Sequence, residues 1–289
     1  MRQILLIAAM FLSTATPSFA QELLKVGNSY SGNVNLSSST NRIYLALPEG
    51  TWVLTSFEQT RDRKQGYPLT FGRLVSTDSQ KRVVGTVAFA VGNDGSGGWE
   101  VPNFCNRKDI IFHETPDKQR RGREIRCWGV HSTGMAQPSA TAANYVREYY
   151  QWVSRNELKL PQTMILFEIA RASGPKYLHA TYYRNPEIDG FPRSASSTWH
   201  KDVVVGDPKR LSYLESVNTW GKQLLSTFEE AFRGRPPVSQ RQNAPVAAPI
   251  PNEPATMERQ LEELKNIYEK KLITESEYAA RRKIILGMP

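Results

Sequence analysis

The side chains of this 289-residue sequence that are best suited to chemistry are its two cysteines and four histidines. The histidines stand far apart in the chain, at His113, His131, His179 and His200. None of them has the spacing of a metal motif such as H-E-x-x-H, in which two imidazoles on one helical face hold a zinc ion. The sequence therefore predicts no metal site, no cofactor and a structural or surface role for each histidine.

Two of the histidines have a chemically useful neighbour, in His113-Glu114 and His131-Ser132. Adjacent side chains of a strand point to opposite faces, so neither pair is a preassembled acid/base couple. His200 and Asp202 would share a face of a strand, which is weak support for a catalytic or metal-binding pair. We therefore predict a protein without enzymatic activity. The alternative is a catalytic site that assembles only in three dimensions.

Cys105 and Cys127 are the remaining candidates, and the compartment decides their chemistry. The sequence has no C-x-x-C motif and no histidine at ligand spacing from either cysteine, which argues against a catalytic or metal-binding role. In an oxidising compartment two such thiols normally pair, so an exported chain would contain a Cys105–Cys127 disulfide. On the chain-entropy model, closing a loop of about 22 residues stabilises the fold by roughly 3 kcal/mol.

The amino terminus predicts export. Arg2 precedes an apolar run from Ile4 to Leu12, and Ser18-Phe19-Ala20 is a small-x-small cleavage site. This pattern is typical of a signal peptide over residues 1–20 that is cleaved after Ala20. The run is too short to span a bilayer, although an uncleaved N-terminal anchor is the alternative. We predict a periplasmic or secreted protein with no transmembrane segment in the mature chain.

Charge is unevenly distributed. The whole chain has a formal net charge of +9, and removal of Arg2 with the signal peptide leaves 36 Lys+Arg against 28 Asp+Glu, or +8. Seven bases lie in or beside the proposed disulfide loop, namely Arg107, Lys108, Lys118, Arg120, Arg121, Arg123 and Arg126. Such a basic patch could face an anionic envelope component or an acidic protein, or it could be a solvated, self-repelling loop. Nucleic acid is not an expected partner, because the exported chain has no binding motif.

Short apolar or alternating runs, separated by turn residues, predict β structure from Gln21 to about Val91. The strand candidates are Arg42 to Leu47, Trp52 to Gln59, Thr70 to Thr77, Arg82 to Val91 and, later in the chain, Glu124 to His131. Their aromatic and β-branched residues suit a sheet with one buried face. The glycine-rich segment 92–98 lacks the ligand pattern of a calcium loop, the lysine of a phosphate loop and the central glycine of a nucleophile elbow. We interpret it as a hairpin connection.

Two helices and a hairpin follow. Ser139 can cap a helix that ends before Pro161 and carries a stripe of tyrosine, tryptophan and valine at helical spacing. Strands over Thr163 to Ala172 and Lys176 to Arg184 would be joined by a tight turn. Asp207-Pro208 starts a longer helix, which ends near Gly234. The sequence therefore predicts an α+β domain over residues 21–234, a mostly antiparallel sheet or sandwich with two packed helices.

Beyond this domain the composition changes twice. Residues 235–256 are a proline-rich linker that favours extended polyproline conformation and reaches up to about 65 to 70 Å. Residues 257–286 then predict a helical hairpin, whose second helix starts at the capping box Thr274-Glu275-Ser276-Glu277. Its apolar interaction seam consists of Leu261, Leu264, Tyr268, Leu272, Ile273, Tyr278 and Ile285. Helices this short are marginal alone and must fold against each other, the main domain or another copy.

This last segment resembles the SHOCT domain, a short C-terminal helical module of many bacterial proteins. The resemblance covers about 30 residues, through Leu261, Leu264, Tyr268, Leu272, Ile273, Thr274, Glu277, Tyr278, Arg282 and Leu286. Lys271 departs from it, since the family usually has glycine there. The resemblance implies oligomerisation or partner contact and no catalysis. The main domain, through segments 47–52, 127–128 and 185–191, is only loosely similar to uncharacterised exported bacterial proteins.

Three hypotheses follow for the function. The first is an exported envelope protein for binding or assembly, in which the helical module forms a homo-oligomer or binds a protein partner. The second is a periplasmic hydrolase, which would need a histidine, a carboxylate and a serine to converge in a pocket. The third is a stress-related structural protein whose module docks on its own domain.

Overall fold

The structure is a computed structural model that describes residues 24–36, 42–61, 66–93, 95, 98–114 and 124–236, with seven single residues between 261 and 286. It is an α+β fold built on one large antiparallel sheet, as predicted. The strands are β1 (Ser29–Tyr30), β2 (Asn33–Asn35), β3 (Tyr44–Ala46), β4 (Trp52–Arg61), β5 (Pro68–Thr77), β6 (Val83–Gly92), β7 (Phe112–Glu114), β8 (Glu124–Gly134), β9 (Thr163–Ser173) and β10 (Lys176–Arg184).

The sheet has eight strands in the order β1-β4-β5-β6-β10-β9-β8-β7, and every neighbouring pair is antiparallel. β2 and β3 form a separate two-stranded ladder. The described residues thus favour the single sheet over the sandwich. β9 and β10 are the predicted hairpin, in which Ser173 lies opposite Lys176 across a two-residue turn. This turn fixes the register of the strands that position the site described below.

One face of the sheet is covered by the long helix. The described helices are α1 (Asn144–Arg155), α2 (Lys201–Val204) and α3 (Pro208–Phe232). α3 begins as predicted, because the Asp207 side chain accepts a hydrogen bond from the backbone of Arg210 and proline occupies the first turn. It packs against β3, β8 and β9 over the main apolar core. Gly221 lets the two backbones approach, since a Cβ there would collide with the Phe167 ring.

The opposite face is covered at both ends, by α1 over β4 and β5 and by a 3-10 turn, Asn103–Asn106, against β8. The predicted cap of α1 was wrong: Ser139 is bonded to the Thr141 hydroxyl, and the helix begins at Asn144 without a side-chain cap of its own. The Glu58 carboxylate on β4 accepts from the backbone of Tyr145 instead. A carboxylate from a neighbouring strand therefore replaces the local cap.

Several predicted segments lie outside the described residues. These are the signal peptide at 1–20, the linker from residue 237 onward and most of the helical module. Within the module, Leu261, Lys265, Glu275, Tyr278, Ala279 and Arg282 are helical. The helical hairpin stays a prediction. No helix among the described residues is both long and apolar enough to cross a membrane.

Candidate functional site

A disulfide joins the 3-10 turn to the sheet. Cys105 in the turn is bonded to Cys127 on β8, as the sequence predicted. Both half-cystines are buried in a small core on the face opposite α3. The bridge therefore holds the turn against β8 at one end of that face, and the residues beside Cys105 contact the strands below it.

Three strands place two histidines and one carboxylate side by side on this face. His131 lies on β8, Glu168 on β9 and His179 on β10. Nε2 of His131 is 2.6 Å from Oε2 of Glu168, and Nε2 of His179 is 2.7 Å from Oε1. The carboxylate is 13% exposed and the two imidazoles 11% and 23% exposed. Both oxygens of one buried carboxylate are thus used to orient two imidazoles.

Glu168 is ionised in this setting. Burial alone would raise its pKa, but hydrogen bonds from His131 and His179 outweigh burial and lower the pKa from 4.5 to about 2. An ionised carboxylate can only accept hydrogen bonds, so each Nε2 must carry a proton and donate it. The carboxylate therefore fixes the protonation of both Nε2 atoms.

The tautomer of His131 is fixed from its other side as well. Arg107, just after the 3-10 turn, places Nη1 3.1 Å from Nδ1 of His131. A guanidinium has no acceptor, so Arg107 donates and Nδ1 is unprotonated. Arg107 is itself held by two bonds to Asp109, at 3.0 and 2.6 Å. The bond from Arg107 also lowers the pKa of Asp109 to about 2.

His179 is the open end of this chain of hydrogen bonds. Its ring stacks on Phe104 of the 3-10 turn, with centroids 5.4 Å apart, and meets Tyr177 edge to face. The hydrogen bond described for it uses Nε2 alone. The residue lines a cavity, so Nδ1 is the ring atom that a bound molecule could use. A neutral His179 would offer a lone pair there.

The cavity beside His179 has a volume of about 280 Å³, and its walls are polar and apolar in about equal measure. It is lined by Leu69, Phe71, Ala90, Trp99, Glu100, Val101, Pro102, Asn103, Tyr177 and His179. Trp99 donates from Nε1 to the carbonyl of Pro175 at 3.2 Å and stacks on Tyr177 at 5.1 Å. The indole lies so close to Gly92 and Gly95 that a Cβ at either position would collide with it. The prediction that segment 92–98 is a hairpin connection was wrong, because the next strand, β7, pairs with β8 and not with β6. Gly92 and Gly95 instead make room for one cavity wall.

The other predicted candidates do not join the cluster. Ser132 donates to the carbonyl of Ser196, so the serine that a hydrolase triad requires is not bonded to His131. His200 immediately precedes α2, which removes the strand geometry on which its pairing with Asp202 was based. His113 is exposed on β7. Among the described residues, no group of three or more histidine, cysteine or carboxylate side chains could hold a metal ion.

The predicted basic patch divides into residues with different surroundings. Arg107 belongs to the site, Lys108 is exposed, and Arg126 lies 3.7 Å from Glu229 of α3. Arg120, Arg121 and Arg123 lie outside the described residues, as does Lys118. The patch therefore has no defined geometry as a binding surface in the part of the chain that the structure describes.

Sequence reasoning missed Glu168, although one signal pointed to it. Glu168 is the sole charged residue between Thr163 and Ala170, the mainly apolar part of β9. A carboxylate at such a position is buried only with partners, and partners on neighbouring strands were therefore to be expected.

Comparisons of the chain with protein-family models, with curated proteins and with solved structures found no match. The geometry of the site carries the functional argument.

Proposed function

We propose that this chain is an exported bacterial envelope protein that binds a small molecule in the cavity beside His179. The observation that carries the proposal is the position of His179, whose Nε2 is held by a buried carboxylate while its ring lines an aromatic cavity. Ligand sites combine apolar walls with polar groups placed to orient the ligand, and this cavity is lined by side chains of both kinds.

His179, the proposed contact for the ligand, is preorganised. His179 is held by Glu168 at one edge and by the Phe104 ring on one face, so little rotamer freedom is left to lose when a molecule binds. Trp99 is fixed in the same way by Pro175 and Tyr177. The volume of about 280 Å³ suits a small ligand rather than a polymer.

The rest of the proposal concerns export and assembly. The disulfide is compatible with an oxidising compartment, which supports a periplasmic or secreted location. We extend to residues 257–286 the role that the SHOCT resemblance implies, namely oligomerisation or binding of a protein partner. The proline-rich segment 235–256 would tether this module to the ligand-binding domain.

A hydrolase is the second candidate, and the Glu168–His179 pair favours it. A carboxylate that orients an imidazole is the supporting half of many acid/base sites. Among the described residues no serine, threonine or cysteine is hydrogen-bonded to His179, so the nucleophile would be a water molecule deprotonated by Nδ1. Such an enzyme would use the same cavity for its substrate.

Ligand binding can be tested on the mature protein labelled with ¹⁵N-histidine. We expect members of a library of small aromatic compounds to shift the ring signals of His179 and to leave the exposed His113 unchanged. His179→Ala should weaken their binding, and His113→Ala should not. Compounds that never perturb His179 would contradict the proposal. Ester hydrolysis that is lost in His179→Ala and kept in His113→Ala would favour the hydrolase.

A further inference from the structure

A guanidinium near the cavity has no carboxylate partner among the described residues. Arg73 is on β5, and its Cζ lies 5.0 Å from the ring centroid of Tyr149, 5.8 Å from that of Tyr183 and 5.9 Å from that of Tyr145. Its Nε atom is fully buried and has no hydrogen-bond partner in the described part of the chain, while the residue as a whole is partly exposed. We call Arg73 with these three tyrosines the arginine cage.

The positive charge of the cage is not balanced by the described side chains. None of the ion pairs described for the chain involves Arg73, whereas buried arginines are normally paired. The nearby carboxylates have other partners, since Glu58 accepts from the backbone of Tyr145 and Glu168 from two histidines. Burial raises the pKa of Tyr149 to about 12, and the Arg73 charge opposes that rise. The tyrosines are therefore neutral and do not compensate the charge.

Aromatic rings replace part of the hydration that a guanidinium loses, but they offer no acceptor to its N–H groups. A guanidinium can donate two parallel N–H hydrogen bonds to the two oxygens of a carboxylate. The Tyr145, Tyr149 and Tyr183 phenols surround the same charge. The cage therefore has the composition of a site for a small oxyanion.

The cage adjoins the cavity through Phe71. Phe71 stands two residues before Arg73 on the same face of β5, lines the cavity and stacks on Tyr145 with centroids 5.1 Å apart. From the strand register, Arg73 lies opposite Ala88, which lies opposite Thr181, two residues beyond His179. Strand spacing then separates the Cα atoms of Arg73 and His179 by about 12 Å. One small molecule can span that distance.

We propose that the ligand is a monocarboxylate with a planar or apolar body, whose carboxylate binds Arg73 and whose body lies against Phe71 toward Trp99. This inference rests on the proposed function and specifies its ligand. A carboxylate is favoured over a phosphate dianion because the cage supplies one positive charge and neutral phenols. His179 would then contact the end of the body opposite the carboxylate.

Calorimetry with matched probes tests the inference on the mature full-length chain. The probes are 2-naphthoate, the uncharged 2-naphthylmethanol and inorganic phosphate. We expect naphthoate to bind about tenfold more tightly than the alcohol, because a charge-assisted bidentate bond is lost with the carboxylate. Arg73→Gln should abolish this preference, so that naphthoate and the alcohol bind the variant with equal affinity. Arg61→Gln, at an exposed arginine on the neighbouring strand β4, should have no effect.

The outcomes separate the two proposals. If naphthoate and the alcohol bind equally to the wild type, or if Arg73→Gln keeps the preference, the carboxylate site is wrong and the cavity still stands. If neither probe binds, the cavity fails as well. If phosphate displaces naphthoate from the wild type and from Arg61→Gln, and Arg73→Gln no longer binds phosphate, the site takes phosphate and the carboxylate assignment is overturned. Should Arg73→Gln not fold, the Arg73 Nε–H signal of the wild type must shift with naphthoate and not with the alcohol.

Discussion

Nη1 of Arg107 lies 3.1 Å from Nδ1 of His131. Because arginine can only donate, this contact sets the direction of every hydrogen bond that follows it. The Nε2 proton of His131 must point at Glu168, and the second oxygen of Glu168 is left for His179. An arginine beside the disulfide thus determines the tautomer of an imidazole two strands away from the cavity wall.

Arg107→Gln should release Nδ1 of His131 while Nε2 stays bonded to Glu168. A glutamine amide is shorter and uncharged, and it can accept as well as donate, so Nδ1 would no longer be restricted to the acceptor role. In ¹⁵N spectra of the wild type we expect His131 to carry its proton on Nε2 with Nδ1 bare, and in the variant we expect Nδ1 to become protonated in part while Nε2 keeps the proton that it donates to Glu168. Lys108→Gln, which removes the adjacent exposed charge, should leave the wild-type signal. A His131 that is protonated on Nδ1 in the wild type would contradict the assignment.

Acid should destabilise the fold through Glu168. The folded-state pKa is about 2 and the ordinary value 4.5, so the folded state binds fewer protons and is favoured above pH 4.5. This contribution, about 3 kcal/mol, is lost as the pH falls from about 4.5 to about 2. Asp109 contributes less, because its side chain is 62% exposed and solvent screens it.

Urea unfolding between pH 7 and pH 2 measures this effect. Glu168→Gln should be less stable than the wild type at pH 7, because one amide oxygen cannot accept from both histidines, and its stability should vary less across the acid window. A matched control is Glu157→Gln, which removes an exposed carboxylate bonded to Lys81. The interpretation fails if the wild type and Glu168→Gln lose stability in parallel.

Local sequence patterns predicted the elements well and the site only in part. The β9–β10 hairpin follows from a two-residue turn, and that turn alone places Glu168 diagonally across from His179. The partnership of Glu168 and His179 could therefore have been derived. His131 could not, because its register against β9 is set across a connection that contains α1. Such long-range pairing depends on how the whole sheet packs.

The start of α1 likewise could not be predicted from local sequence patterns. Ser139 has the side chain of a helix cap, yet the first turn of α1 is satisfied by Glu58, 87 residues earlier in the chain. A strand carboxylate that reaches a helix N-terminus leaves no local pattern. The arginine cage leaves no local pattern either, because its tyrosines come from α1 and β10 and meet Arg73 only after the sheet has formed.

The C-terminal module can be tested by molar mass in solution. Light scattering on the mature chain should give an oligomer, and a version ending at Pro254 should give a monomer, because it lacks the apolar seam from Leu261 to Ile285. Leu264→Lys in the full chain should act like the truncation, whereas Lys265→Gln, beside the seam, should not. A monomeric full-length chain would show that the seam serves the main domain or another protein.

The disulfide should link the stability of the fold to the geometry of the site. The residues near Cys105 contact both His131 and His179, the two ends of the hydrogen-bonded group around Glu168. Phe104 stacks on His179, and Arg107 donates to His131. Replacing Cys105 and Cys127 together by alanine should lower the free energy of unfolding by about 3 kcal/mol. It should also weaken the binding of aromatic ligands and broaden the signals of His131 and His179.

The control is Leu224→Ala, at a residue buried under the opposite face. It should lower the free energy of unfolding by a similar amount, about 2 to 5 kcal/mol, without changing those signals. Equal effects of both variants on the histidines would mean that the turn is held by general packing and that the bridge has no particular role at the site.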